Sequence, residues 1–230
     1  MMGKKQTYGL ITVLFFMGLT NSSAQKMSEK SSQTTADSVE LAKTWFDRAE
    51  TKYNLRNYAE AIPDYDQAIL LMPNHIFAYN QRGNAQYCLG RYKEAVANFD
   101  TAIHLNPSYA IVFNSRGVAK RNLGLIKEAI ADYDEAIRLK PDYAIAFSSR
   151  GIAKVALKQY KDALLDYDKA IQLTPNYAKA YANKGCCLVA MNDKKLLAEA
   201  IECLDKALIL DGLLIYARDC RQEAVNKLTD

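Results

Sequence analysis

Between residues 42 and 228 apolar side chains return every three or four positions, and short polar breaks divide them into stretches of about a dozen residues. That spacing predicts one-sided helices rather than strands, which would alternate with a period of two. Residues 76–109 show the pattern well. Tyr79, Gly83 and Tyr87 fall on one helical face, and Leu89-Gly90-Arg91 breaks the run. Ala95, Phe99, Ala102 and Ile103 then form the inward face of a second helix that stops at Asn106-Pro107. The residue before a proline is pushed away from helical angles, so Pro107 punctuates the pair.

The pair repeats. Gly83, Gly117, Gly151 and Gly185 stand 34 residues apart, and so do Ala61, Ala95, Ala129 and Ala163. Pro73, Pro107, Pro141 and Pro175 keep the same period, as do an aromatic row (Tyr65, Phe99, Tyr133, Tyr167) and a second alanine row (Ala68, Ala102, Ala136, Ala170). Several independent rows in one register define a repeat architecture. Glycine in the first helix and alanine in the second mark where two backbones can approach, and the aromatics are expected to fill the gaps between units.

A helix-turn-helix period of this length carrying Tyr79, Gly83, Tyr92, Ala95, Phe99, Ala102 and Pro107 resembles the tetratricopeptide repeat family. Units 76–109, 110–143 and 144–177 match closely; unit 42–75 matches with Trp45, Ala61, Tyr65, Ala68 and Pro73, but has Ala49 in place of glycine and Pro63 about one turn into its second helix. The fifth unit, 178–214, keeps Gly185, but Ala200 comes three residues late and Gly212 replaces the closing proline, which implies a longer turn around Met191 to Leu196. A last amphipathic stretch, 213–228, is expected to cover the open end of the stack. The expected fold is therefore all-α, an α-solenoid of about five helical hairpins over residues 42–228 with a C-terminal capping helix.

Upstream, Lys4 and Lys5 precede the apolar run Leu10–Leu19, and Asn21-Ser22-Ser23-Ala24 offers small residues for cleavage. This is the anatomy of a signal peptide over residues 1–24, and the run is shorter than the ~20 residues needed to span a bilayer. Residues 25–41 are polar and Ser/Thr-rich, so a flexible linker is expected there. The expected destination is export, to a bacterial periplasm or cell envelope, with no membrane span in the mature chain.

In proteins of the resembled family the first helices line a concave groove that binds peptides. On that register the second, fifth, ninth and twelfth residues of each unit face outward. They include Phe77, Asn80, Asn84 and Tyr87, then Ile111, Asn114 and Arg121, then Ile145. The groove is expected to be amide- and phenol-rich at its N-terminal end and largely apolar toward Ile152, Val155 and Val189. Amides suit the backbone of an extended peptide. The carboxylate-clamp set of some family members is absent: the corresponding places hold Asn80, Asn84, Ser115, Ile145 and Ser149.

Arg48, Arg82, Arg116, Arg150 and Lys184 form another row, which Arg221 continues, and Asp64, Asn98, Asp132 and Asp166 form a matching row in the second helices. Pairing between the two rows is expected, with a coupled change where Cys203 replaces the acid.

The net charge of +4 is spread along the chain, which argues against a nucleic-acid footprint. His75 and His104 are far apart in sequence, and no metal, phosphate-loop or nucleophile-elbow motif occurs, so neither cofactor nor metal is expected. Cys88, Cys186, Cys187, Cys203 and Cys220 match no zinc or redox spacing. Buried free thiols are favoured for them, with one disulfide, Cys203 to Cys220, as the alternative. The resemblance thus implies a non-enzymatic scaffold or adaptor holding an extended segment of a protein partner in its groove. The alternatives are a regulatory subunit that contacts an envelope enzyme through the convex face or terminal helix, and an enzyme with a cryptic hydrolytic site.

Overall fold

The computed structural model describes residues 37–229, and these are helices joined by short turns with no strand among them. The expected signal segment and most of the expected linker lie outside the described residues. Residues 37–41, assigned from sequence to the linker, are instead helical, continuous with α1 over 37–54. Among the described residues two compact units are distinguished, 37–75 and 76–229.

Within the first unit, α1 pairs with α2 (Tyr58–Leu71), which runs unbroken through Pro63. The second unit holds four hairpins and a closing helix. Its elements are α3 (Ile76–Cys88), α4 (Tyr92–Leu105), α5 (Ala110–Asn122), α6 (Ile126–Leu139), α7 (Ala144–Ala156), α8 (Tyr160–Leu173), α9 (Ala178–Ala190), α10 (Leu197–Leu210) and α11 (Ile215–Thr229). The extra residues of the last hairpin form a single 3-10 turn, Lys194–Leu196, capped by the Asp193 side chain.

Each turn between paired helices has one residue at positive φ: Arg56, Gly90, Gly124, Lys158 and Asn192. Glycine takes that conformation without strain, whereas Arg56 and Lys158 bear the side-chain penalty of about 1 kcal/mol.

The recurring crossing inside a hairpin is a ring lying over a glycine. A Cβ on Gly83 would sit 2.7 Å from Phe99 Cε1, and one on Gly117 or Gly151 would sit 2.6 Å from the equivalent atom of Tyr133 or Tyr167. The aromatic row therefore packs within its own hairpin, over the glycine of its partner helix, as well as reaching the next unit: Phe99 joins one core cluster with Val112 and Ala119 of α5. The rings thus fill the gap between units, as expected of them, and also the crossing within their own hairpin. In the fifth unit Leu204 takes the ring's place over Gly185.

The Arg and Asp rows pair as expected, and each acid receives more than one cation. Arg116 Nε and Nη2 donate to the two oxygens of Asp132 at 3.0 and 2.6 Å, and Lys120 Nζ lies 2.9 Å away. Arg150 and Lys154 repeat this at Asp166, and Arg48 and Lys52 at Asp64. The Arg48 hydrogen bond holds the Asp64 carboxyl below the usual carboxylate range. The second acid row went unread in the sequence: Arg116 also reaches Asp100, and Arg150 reaches Asp134, each at 2.6 Å on the preceding hairpin.

Where the acid changes, its neighbours change with it. Asn98 accepts from Arg82 Nε at 2.8 Å, and its amide donates to Gln86, which stands where Lys52, Lys120 and Lys154 stand in the aspartate-bearing units. An amide needs an acceptor at that point, and an ammonium offers none. In the fifth unit the acid is Cys203 and the lysine place is the buried Leu188, while Lys184 turns to Asp168 and Glu199. We therefore expect Asp132→Asn alone to lose about 1.5–3 kcal/mol of stability, and added Lys120→Gln to recover part of it. Chemical unfolding of the two single variants and the double variant measures this; strictly additive losses would refute the coupling.

Candidate functional site

First helices touch one another from hairpin to hairpin (α3 with α5, α5 with α7, α7 with α9, α9 with α11), whereas the second helices do not approach each other to the same extent. A layer whose members lie closer together is the inside of a bend. Within the second unit the first helices therefore form the inner face, and its side chains are the candidate site.

The eight residues named from sequence fall into three classes there. Phe77, Ile111 and Ile145 are exposed (55, 42 and 47% of their surface) and occupy the same place on α3, α5 and α7. They make an apolar row along one edge, with the Phe77 ring set edge-on against Tyr109 at 5.8 Å. Asn84, Tyr87 and Arg121 are half-buried. Asn80 and Asn114 are buried (5 and 8% exposed) rather than outward-facing, because the fifth position of each unit lies at the seam between neighbouring first helices. Their Oδ1 atoms accept no hydrogen bond. Ser148, next in that row, shows what the seam can satisfy: Asn183 Nδ2 of α9 donates to its hydroxyl at 3.2 Å, and Tyr216 of α11 donates to Asn183 Oδ1 at 3.4 Å.

The expected apolar C-terminal half of the groove is corrected in the same way. Val189 is buried, and Ile152 and Val155 pack against the cluster of Ala163, Tyr167 and Cys187. Apolar surface is offered instead along the second-position edge.

At the opposite end of these helices, ten residues or ~15 Å along α5, lies a polar group of which sequence reading foresaw only Tyr87 and Arg121. Asn122 Nδ2 donates to the Tyr87 hydroxyl at 3.2 Å. The Tyr133 ring crosses over Gly117, and its buried hydroxyl makes no hydrogen bond. Burial pushes the Tyr133 phenol well above its ordinary range, and the Arg121 guanidinium beside it opposes that rise. The sequence signal was available: Tyr133 stands four residues after Ala129 in the register that places it over a glycine, and Arg121 is one turn beyond that glycine. In the first unit the equivalent Tyr65 hydroxyl donates to Glu50. A third tyrosine row, Tyr109, Tyr143 and Tyr177, sits at the starts of α5, α7 and α9; burial raises all three phenols.

Cys186 of α9 is joined to Cys220 of α11 by a disulfide, with Cα atoms 5.5 Å apart. One disulfide thus joins the last unit to the final helix as the alternative had it, with Cys186 rather than Cys203 as the partner of Cys220, and Cys187 is the buried thiol that the favoured reading expected. Cys203 lies on α10 near Lys184, whereas Cys186 and Cys220 meet where α9 packs on α11. Cys187 and Cys203 are thiols outside that disulfide. No group of three His, Cys, Asp or Glu among the described residues is placed to hold a metal, and none of the described helices is long and apolar enough to cross a membrane.

Sequence profiles of the tetratricopeptide repeat match residues 42–75, 76–109 and 119–157. No curated protein sequence matches the chain. Solved structures do. TTC0263, a thermophilic TPR protein of Thermus thermophilus, is 20% identical with a TM-score of 0.66, covering 80% of this chain and 99% of its own. YrrB, a TPR protein with an unusual peptide-binding site, is 22% identical with a TM-score of 0.60, covering 83% and 97%. The first TPR of Spaghetti (RPAP3), bound to the HSP90 peptide SRMEEVD, is 24% identical with a TM-score of 0.51, covering 52% and 95%. At these identities the likeness is one of fold.

A buried amide oxygen without a donor costs stability, so Asn114→Leu, which keeps the branching and heavy-atom count though with bulkier methyls, should leave the protein as stable as wild type or up to about 1–2 kcal/mol more so. Thermal and denaturant unfolding of the variant check this, and a clear loss would show that Asn114 is held by the fold itself.

Proposed function

Because the chain belongs to the tetratricopeptide repeat family, we propose that it is a non-enzymatic interaction scaffold that holds an extended segment of a protein partner against the inner face of its first helices. One observation carries the reading: Phe77, Ile111 and Ile145 repeat an exposed apolar side chain at one place on three successive helices, beside the unsatisfied amide oxygens of Asn80 and Asn114. An apolar row of this kind costs solubility unless something covers it. Adjacent helices stand ~8–10 Å apart, about three residues of extended chain at ~3.3 Å each. A segment laid across α3, α5 and α7 can therefore place side chains on all three anchors. That YrrB carries a peptide-binding site and that the Spaghetti repeat binds a peptide support the same use of the fold here.

A second reading rests on the exposed Ile209, Leu213 and Ile215 around the α10–α11 turn, which suit contact between the terminal helix and a folded partner such as an envelope enzyme. Cross-linking capture with wild type and with a Phe77→Ala, Ile111→Ala, Ile145→Ala variant separates the two. All three side chains are exposed, so the fold should tolerate their loss. Capture of a defined partner by wild type and its loss in the variant supports the groove; equal capture by both moves contact to α11 or the outer helices; capture by neither removes the scaffold reading.

The scaffold is further proposed to act after export, in the periplasm or cell envelope. The signal-type N-terminal sequence and the Cys186–Cys220 disulfide support this, since disulfides persist in oxidising compartments. N-terminal sequencing of the protein recovered from cells should begin at Gln25; a chain that starts at Met1 in the reducing cytosol would overturn it.

A further inference from the structure

The half-buried cations on α5, α7 and α9 are paired with acids, with one departure, and Arg82 of α3 donates to the Asn98 amide. Arg116 and Lys120 are taken by Asp132 and Asp100, Arg150 and Lys154 by Asp166 and Asp134, and Lys184 by Asp168 and Glu199. Arg121 sits one residue after Lys120 and points to the other side of α5. Its Nε is buried and makes no hydrogen bond, and no carboxylate among the described residues pairs with it. Its polar neighbour is the buried Tyr133 hydroxyl, whose oxygen can accept from the guanidinium but carries no charge to offset it. A half-buried cation thus stands on the inner face without an acid of its own.

A guanidinium held half out of water gains from a carboxylate far more than an exposed one does, because the local dielectric is lower and its planar fork matches two oxygens. An amide or hydroxyl of the partner would satisfy one donor and leave the charge uncompensated. From this juxtaposition we infer that Arg121, backed by the Tyr133 hydroxyl, is the specificity-determining anchor for an acidic side chain, Asp or Glu, in the segment that the groove binds. The inference rests on the groove reading above and names the chemistry of its ligand. The acid is a side chain rather than a chain terminus: α5 has α3 on one side and α7 on the other, so a segment that spans the apolar anchors Phe77 and Ile145 passes Arg121 without ending there. The ligand then reads as an apolar segment that also carries at least one acid, the acid directed to the Arg121 edge and the apolar residues to the opposite edge.

The probe is a random dodecapeptide library displayed on phage and selected on the full chain. Wild type should enrich peptides with Asp or Glu at one fixed place relative to their apolar residues. In a synthetic peptide made from the selected consensus, Glu→Gln at that place should weaken binding about tenfold or more. Against Arg121→Gln, the Glu and Gln peptides should bind alike; Arg121→Lys should keep part of the preference, and Arg121→Glu should shift selection to Lys or Arg at the same place. A purely structural role for Arg121 would lower all binding together and could not reverse the charge preference. Enriched peptides without an acid, or an undiminished Glu preference in Arg121→Gln, would overturn the inference. A loss of binding on amidating the peptide C-terminus would overturn the assignment to a side chain. The groove reading is checked apart from it. If the Phe77→Ala, Ile145→Ala variant binds the selected peptides as wild type does, the groove is refuted whatever Arg121 does. If no peptide is enriched, both fall.

Discussion

In the hairpins of α3–α4, α5–α6 and α7–α8 the second helix carries a ring where the first helix has no side chain, and the rest of the architecture is arranged around that contact. With Gly117 in place, the Tyr133 ring crosses α5 at a distance that a Cβ would forbid, and Ala129 lies close enough for its carbonyl to approach the same point. Two helices held that near are fixed in depth and register by one crossing. The surrounding alanines, Ala129 and Ala136 on α6 and Ala119 on α5, are fully buried because the interface leaves room for nothing larger. The same contact explains how a core residue can also serve a surface. A phenol long enough to cross the glycine gap brings its hydroxyl out near the inner face, whereas Phe99 fills the same gap and brings nothing.

The ionic ladder works at a different level. An aspartate buried between two cations is costly to desolvate, and such groups rarely stabilise a fold beyond what an apolar trio would. Their value lies in matching. Asp132 with Arg116 and Lys120, Asn98 with Arg82 and Gln86, and Cys203 with Leu188 are three solutions to one geometry, each internally satisfied. The reach of Arg116 and Arg150 to the acid of the preceding hairpin carries the matching from one unit to the next, so neighbouring hairpins cannot slide by a turn without breaking it.

Much of this was legible in the residues. A fixed period needs no knowledge of contacts, so the hairpins, their turns, the late alanine of the fifth unit and the pairing of the arginine and acid rows could all be read directly. What stayed hidden depends on depth and direction. Position in a register says which way a side chain leaves the helix but not whether a neighbouring helix covers it, and so Asn80 and Asn114 read as outward although the seam buries them. The partner of Cys220 was misread for a related reason: a register does not show which cysteines meet, and Cys186 and Cys220 are brought together by the packing of α9 on α11. The Asp100 and Asp134 row escaped because acids on exposed helix faces are common, and only the reach of an arginine from the next hairpin gives them a role. At the N-terminal end composition alone marked residues 37–41 as linker, where helix propagation from α1 wins.

Protein interiors satisfy nearly all their buried polar atoms, and a natural chain departs from that rule chiefly where it has a use for the departure. Here the departures are not scattered. Among the described residues, the four buried side-chain atoms without partners belong to Asn80, Asn114, Arg121 and Tyr133. Three of them sit on first helices, and the fourth reaches that layer through a glycine gap. The second helices, which hold the more numerous charges, leave none of theirs unmatched in this way. A fold able to adjust three residues together at every turn of its ladder had the means to satisfy these atoms as well. That it leaves the Arg121 charge without an acid, along the same face as an exposed apolar row, is the pattern expected of a surface completed by another molecule. That charge suits an acid that an extended chain carries.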